Sequence, residues 1–188
     1  MQFLTKTESL QTLVDLPATG RGADDGLAEL QVNIEDCLKR SAATARLFIK
    51  LIGTEQAAFL WIEEFGVWPS LENWPLFRTL RSVSDELRPL HEAPGHMFAA
   101  DEQEALVSYL QLVIIFGWGG VLLGLENRHR LIVSHDSWAS IRSLSDMPGL
   151  IETASKFGLP YLVTERSADT LAALGLSRNG EILNPQWP

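Results

Sequence analysis

The chain has 188 residues, of which 46% are hydrophobic and 21% are charged, and this composition is typical of one globular domain that can bury a core. Its net charge of −9 argues against DNA or RNA as a partner, because phosphates require a basic face. The single cysteine, Cys37, rules out an internal disulfide and fits a reducing compartment.

Residues 1–26 predict an N-terminal segment and a linker, because Pro, Gly and Asp dominate the second half of this stretch. No continuous apolar run follows Lys6, so the segment does not have the pattern of a signal peptide. The longest apolar stretch, residues 112–125, is interrupted by glycines and is too short to cross a bilayer. We therefore expect a cytoplasmic protein without a membrane partner, with a single domain at residues 27–165 and a tail at residues 166–188.

The first part of the domain predicts one helix followed by two strands. Residues 27–41 carry apolar side chains at spacings of three and four, which is the pattern of an amphipathic helix. Residues 43–52 and 57–68 are rich in Ile, Leu, Phe and Trp, and a short turn at Gly53–Glu55 separates them. This arrangement predicts two adjacent antiparallel strands, with a helix as the alternative for the first.

A second helix and an irregular segment are predicted next. Pro69 ends the preceding strand because it lacks a backbone donor. Ser70 or Asn73 can cap a helix that runs to about Ser84. Pro89 and the pair Pro94-Gly95 then predict that residues 85–100 are irregular.

The remaining segments complete an α+β pattern. Asp101, followed three residues later by Glu104, resembles a capping box and predicts the start of a helix that Gly117 ends. The order strand, strand, helix, helix, strand is predicted for residues 120–125, 130–136, 137–144, 146–158 and 159–165. These elements predict an α+β domain with an antiparallel sheet of four or five strands and helices packed on one face.

Two histidines and a glutamate lie close together in the stretch HEAPGH. A zinc peptidase with a His-Glu motif places its histidines four residues apart on one helical face. Here His91 and His96 are five residues apart and Pro94-Gly95 interrupts any helix, so the motif does not match. The pattern favours a structured turn in which Glu92 and the imidazoles bond to the backbone.

A zinc ion held by these histidines would need a further protein ligand. His135 and Asp136, in the stretch SHDSW, are donors of the right kind. Ser134, His135 and Asp136 do not form a hydrolase triad by themselves, because consecutive strand residues point to opposite faces. We expect a strand end and a helix cap here, with no metal and no cofactor. If His135 points toward His91 and His96, the three would form one polar cluster.

The six tryptophans are numerous for a chain of this length. Tryptophan is enriched at binding hot spots, but it is also a common anchor of the core. Most of the six are expected in the core. Trp68 and Trp74 flank the turn PSLEN, and we expect these two to be partly exposed and able to anchor a partner.

Three strings, VWPSLENWPLFRTLR, LHEAPGHMF and FGWGGVLLGLENRHRLIVSHDSW, together resemble an uncharacterised family of bacterial cytoplasmic proteins. The resemblance covers roughly residues 42–140. It implies a compact α+β domain and no particular chemistry, because no activity is associated with the family.

Two hypotheses of function remain open. The first is a non-enzymatic protein-binding module of the immunity or antitoxin kind, whose acidic balance would neutralise a basic partner. Its candidate binding residues are Trp68, Trp74, His91, Glu92, His96, His135 and Asp136. The alternative is a small metal-dependent or acid–base hydrolase that uses His91, Glu92, His96 and His135. The absence of a recognisable catalytic set in the sequence favours the binding module over the enzyme.

Overall fold

A computed structural model of the chain describes residues 1–15, 28–34, 40–53, 57–65, 73–125, 129–143, 147–156 and 161–164. In these ranges, strands are found at β1 Gln2–Leu4, β2 Ala28–Asn33, β3 Ala58–Glu64, β4 Gly95–Phe98, β5 Gly119–Gly124, β6 His129–Val133, β7 Trp138–Ser143 and β8 Tyr161–Thr164. The helices are α1 Lys6–Asp15, α2 Ser41–Ile52, α3 Asn73–Ser82, α4 Gln103–Ile115 and α5 Met147–Lys156, and a 3-10 turn at Ala100–Glu102 precedes α4.

The strands form one antiparallel sheet in the order β1-β4-β3-β5-β6-β7-β2-β8. The α+β class and the antiparallel sheet are therefore confirmed, but the sheet has eight strands in the described ranges rather than four or five. The extra strands come from segments predicted as helical, irregular or N-terminal. None of the helices in the described ranges is long and apolar enough to cross a bilayer.

Both faces of the central strands are buried, which explains why the sequence shows apolar runs there instead of strict alternation. Leu60 and Leu122 belong to a large core that also contains the buried faces of α2 and α4. Phe59 and Leu123 point to the opposite side and form a smaller core, against which Leu13 of α1 packs. Helices therefore cover parts of both faces of the sheet, not one face only.

Two predictions of element type were wrong in the described ranges, and for a third segment, residues 43–52, the helix named as the alternative is the one found. Residues 28–33 form strand β2 rather than a helix, because fully buried Leu30 and Val32 alternate with more exposed neighbours and the strand pairs with β7 on one side and β8 on the other. Residues 41–52 form α2, where the helix-forming alanines prevail over the density of Ile, Leu and Phe. The predicted helix at 137–144 is strand β7, since its backbone pairs with both β6 and β2. The Cys37 region lies outside the described residues.

Two predictions around β4 and α4 also need correction. The segment 85–100 contains strand β4, which pairs on both sides with β1 and β3. Asp101 does not cap α4, because it lies inside the 3-10 turn. The Glu102 carboxylate accepts a hydrogen bond from the backbone N–H of Ala99 (2.8 Å) and also pairs with the terminal ammonium group. Glu104 instead forms a bidentate pair with Arg46, at 2.5 and 2.6 Å.

Other predicted elements are confirmed: strand β3, helix α3, the β5–β6 hairpin, helix α5 and strand β8. Gly117 ends the α4 segment with a φ of +60°, a backbone conformation that favours glycine. Strand β1 contributes residues 2–4 to the edge of the sheet. The division at residues 26 and 165 stays a prediction, since residues 16–27 and 165–188 lie outside the described ranges.

Gly95 allows α1 to approach β4 closely, and we expect Gly95→Ala to be destabilising. A methyl group at this position would overlap Ser9 Oγ and would lie 3.0 Å from Leu4 Cβ and 3.1 Å from the Phe59 ring. Because the site is already filled, the free energy of unfolding should fall by about 1–3 kcal/mol. Urea-induced unfolding followed by tryptophan fluorescence measures this change.

Two further variants serve as controls for this prediction. Gly117→Ala should cost about 1 kcal/mol through its positive φ alone, because the nearest atom to its new methyl group is 4.0 Å away. In a Ser9→Ala background the penalty of Gly95→Ala should shrink, because the overlapping hydroxyl is gone. Wild-type stability for Gly95→Ala would contradict the close approach.

Candidate functional site

The structure places His91 and Glu92 in an exposed turn just before β4. Their closest approach, from His91 Nε2 to Glu92 Oε1, is 3.8 Å, and both side chains are mostly exposed. The backbone N–H of Glu92 donates to the carbonyl of Pro89 (3.0 Å), so a turn is present, but it is held by this backbone bond rather than by the predicted side-chain bond of Glu92. Trp68 lies outside the described residues. Trp74 is the second residue of α3, but its side chain is also outside them.

His135 and Asp136 lie in the turn between β6 and β7. His135 Nε2 is 3.3 Å from Asp136 Oδ1, and the Asp136 side chain is exposed. The backbone N–H of Ser134 donates to the carbonyl of Trp138 (2.8 Å), and Ser137 adopts a φ of +63°. The predicted helix cap at Asp136 is therefore wrong, because the chain turns here into a hairpin.

The candidate histidines do not converge. His96 pairs with Leu60, and the same row of the sheet continues through Leu122 to Leu131 in β6. Three strand spacings separate His96 from Leu131, or about 14 Å, and His135 lies four residues farther along the chain. Within the described ranges, no group of three or more His, Cys, Asp or Glu side chains could hold a metal ion. The geometry thus does not assemble the cluster that the hydrolase hypothesis needs.

His96 is fully buried in a cluster of aromatic side chains. Its ring centroid lies 5.0 Å from that of Tyr109, 5.4 Å from that of Phe3 and 5.9 Å from that of Phe77. Burial, reinforced by the positive charge of Arg81, lowers the pKa of His96 to about 3, while the carbonyls of Leu60 and Pro94 act weakly in the opposite direction. The imidazole is therefore neutral at physiological pH.

Arg81, at the C-terminal end of α3, is a buried cation beside this cluster. Its side chain packs with the guanidinium carbon 5.2 Å from the centre of the Phe3 ring, and the residue is only 2% exposed. One nitrogen donates to the carbonyl of Ala93 (2.9 Å). Burial lowers the pKa of Arg81, and the nearby charge of Glu86 opposes this shift. Arg81 forms no salt bridge within the described part of the chain.

The Glu86 carboxylate is buried, and both of its oxygens are occupied by Arg88. Arg88 Nη2 donates to Oε2 at 2.6 Å and Nε donates to Oε1 at 3.0 Å, while the Arg88 backbone N–H donates to Oε1 at 2.8 Å. These hydrogen bonds lower the pKa of Glu86. Arg88 also reaches the carbonyl of Phe3 (3.3 Å), so the pair ties the loop after α3 to the edge strand.

A cleft of about 620 Å³ lies between α3 and the following loop. It is lined by Pro75, Phe77, Arg78, Thr79, Arg81, Glu86, Leu87, Arg88, Pro89 and Leu90. Among the described residues, three arginines and one carboxylate line this cleft, in a protein whose net charge is −9. A concave, mostly apolar surface with a few convergent polar groups is the usual form of a binding site.

Large apolar side chains are exposed on α3 and on the segment that follows it. Leu76, Val83 and Leu87 are 53%, 80% and 72% exposed, and we refer to these three residues as the apolar rim. Leu76 lies on α3, Val83 lies in the turn directly after it, and Leu87 lines the cleft. Single exposed leucines are ordinary, whereas several large apolar side chains on one short segment form a candidate binding surface.

Sequence reasoning did not identify Arg81, Glu86 or the cleft. An arginine in an amphipathic helix is ordinarily a solvated residue, so Arg81 gave no signal on composition alone. The spacing of Arg81 from Phe77, however, did contain a signal. Arg81 lies four residues after Phe77 and therefore shares the inward face of α3 with a buried aromatic ring.

Comparisons with protein-family models, with curated proteins and with solved structures found no match for this chain. The resemblance to a bacterial family therefore rests on the three sequence strings alone. A proposal of function must therefore be argued from the residues of this chain.

The depressed pKa of His96 predicts a loss of stability in mild acid. Because the unfolded imidazole takes up its proton near pH 6.5 and the folded one only near pH 3, the stabilisation is complete above pH 6.5 and is lost as the pH falls toward 3. At pH 5 this loss should be about 2 kcal/mol. The variant His96→Phe, which keeps an aromatic ring, should lack this loss.

Urea unfolding of both proteins at pH 7 and pH 5 tests this expectation, because every other titrating group is common to the two chains. Equal losses of stability in wild type and variant between these pH values would contradict a buried, neutral His96. The His96 Cε1–H resonance should also show no titration near pH 6.5.

Proposed function

We propose that this protein is a cytoplasmic, non-enzymatic binding module that recognises another protein, of the immunity or antitoxin kind. The observation that carries the proposal is the exposed apolar rim of Leu76, Val83 and Leu87, of which Leu87 also lines the cleft. Burial of such side chains on association supplies the main favourable free energy at protein interfaces. Trp74 belongs to the same helix as Leu76, which supports its candidacy as an anchor.

The net charge of the whole chain supports a basic partner. Asp85 and Glu92 are exposed on the segment that follows α3, and they flank Leu87 in the sequence. With a net charge of −9 on the whole chain, such carboxylates would attract a basic surface and orient it during encounter. A basic toxin covered in this way would be neutralised by occlusion of its surface, without any chemical step.

The enzymatic alternative has no comparable support. His91 and Glu92 are exposed, His96 is fully buried among aromatic rings, and His135 lies on another turn. A general base must lie within hydrogen-bond reach of its substrate, and a side chain without solvent access does not meet this requirement. The binding module is therefore the better account of the described residues.

The test is complex formation with the proteins encoded by neighbouring genes, measured one at a time by titration calorimetry. In the complex that forms, Leu76→Asp and Leu87→Asp should each weaken affinity by about 30-fold or more, because each buries a charge at an apolar contact. Ile115→Asp is the matched control, since Ile115 is also an exposed apolar residue but lies at the end of α4. This control should bind like wild type.

Salt dependence tests the charge complementarity separately. The association rate should fall as sodium chloride is raised from about 50 to 300 mM, and Asp85→Asn with Glu92→Gln should reduce this dependence. The proposal fails if none of the neighbouring proteins forms a complex, or if the rim variants bind as tightly as wild type.

A further inference from the structure

We propose that the cleft between α3 and the loop after it binds a carboxylate-bearing ligand with a small apolar body, and that Arg81 pairs with the carboxylate. The ligand is a free organic acid or the C-terminal carboxylate of a peptide, since both present the same group. This site goes beyond recognition of a partner protein by the apolar rim, because it needs no macromolecule to be occupied.

The buried charge of Arg81 is the first feature that favours such a ligand. A buried guanidinium is costly unless an anion pairs with it, because burial removes the hydration that stabilises the charge. Arg81 is 2% exposed and lines the cleft, yet within the described residues it makes no salt bridge and has a single hydrogen bond, to a carbonyl. A carboxylate that enters the cleft would supply the missing partner charge.

The nearest carboxylate of the protein itself is already engaged. Glu86 lies near enough to stabilise the charge of Arg81 partly, but its oxygens already accept hydrogen bonds from Arg88. Arg88 also holds this carboxylate through its backbone N–H. Glu86 is therefore a fixed part of the wall, and Arg81 retains capacity to bind an anion from outside.

Buried hydrogen-bond donors are in excess at this place. The Nε of Arg81, the hydroxyl of Tyr109 and both ring nitrogens of His96 are buried, and none has a hydrogen-bond partner of normal geometry within the described structure. An arginine Nε, a tyrosine hydroxyl and a protonated ring nitrogen all donate, whereas a carboxylate only accepts. One nitrogen of the neutral His96 ring is an acceptor, so Arg81 Nε, the Tyr109 hydroxyl and the other ring nitrogen are the donors available to an anion such as a carboxylate.

The donor cluster lies directly behind the wall of the cleft. Phe77 lines the cleft on one side, and its ring meets those of Tyr109 and His96 edge-on at 5.4 and 5.9 Å. Buried polar groups without partners are rare in folded proteins and mark sites where water or a ligand binds. A carboxylate on Arg81 would therefore act on the whole cluster electrostatically.

The remaining walls determine the rest of the ligand. Pro75, Phe77, Leu87, Pro89 and Leu90 offer apolar surface, and the volume of about 620 Å³ accommodates a small organic molecule. The ligand therefore combines a carboxylate with a small apolar body.

The experiment is an NMR titration of the full chain with 4-methylpentanoate and, separately, with its neutral amide. N-acetyl-glycyl-leucine and its C-terminal amide form the second pair of probes. In each pair the acid should bind at least about tenfold more tightly than the amide, because only the acid forms a charge-assisted pair. The backbone resonances of residues 75–90 and the ring resonances of His96 should shift together on binding.

The variant Arg81→Gln should bind the acid at least about tenfold more weakly, while Arg46→Gln, an exposed arginine on α2, should bind like wild type. If both acids bind, the site accepts the shared carboxylate chemistry, and preference for one acid identifies its source. Equal binding of acid and amide to the wild-type protein, or no binding of either acid, would overturn the proposal. The comparison of acid with amide needs only the wild-type chain, so it holds even if Arg81→Gln does not fold, and it is independent of any partner protein.

Discussion

The pairing of strand β4 between β1 and β3 is the constraint on which the rest of this structure depends. Alternation along β4 sends Gly95 toward α1 and His96 toward α3 and α4. Because Gly95 has no side chain, α1 can lie against this edge of the sheet. Because His96 points the other way, an imidazole enters a core that otherwise consists of Phe3, Phe77 and Tyr109.

That inward imidazole gives this end of the core an unusual polarity. Arg81 comes from α3, Tyr109 from α4 and His96 from β4, so three separate elements each bring a donor to the same place. Burial shifts the pKa values of these groups toward their neutral forms, raising that of Tyr109 and lowering those of His96 and Arg81. Such a cluster costs stability in a core. Proteins commonly retain costly groups where they serve binding.

The surface around the cleft and the protein as a whole have opposite electrostatic characters. The chain carries a net charge of −9, whereas the described walls of the cleft hold more arginines than carboxylates. A basic partner protein would therefore be attracted by the net negative charge of the whole chain. A small acid would be bound by the local positive charge of Arg81. Leu87 belongs both to the apolar rim and to the wall of the cleft, so a ligand in the cleft would touch a side chain that a partner protein also contacts.

Parts of this fold could be predicted because the local signals were unambiguous. The hairpin of β5 and β6 follows from apolar runs on both sides of a polar turn, and Gly117 ends a helix as glycine usually does. By contrast, the residues of α2 predict a strand, because a buried helix and a buried strand can share one composition. The short strand β4 gave no signal beside Pro94-Gly95, since its pairing partners are remote in sequence.

The sequence by itself determined the α+β class, the acidic balance and the failure of HEAPGH to match a zinc motif, because these depend on composition and on local spacing. Only the tertiary structure decided that His91 and His96 have opposite environments and that His135 lies on another turn. It also decided that Arg81 is buried beside a cleft. Burial and convergence arise from contacts between distant segments such as β1, α3 and β4, and local patterns in a single chain do not encode those contacts.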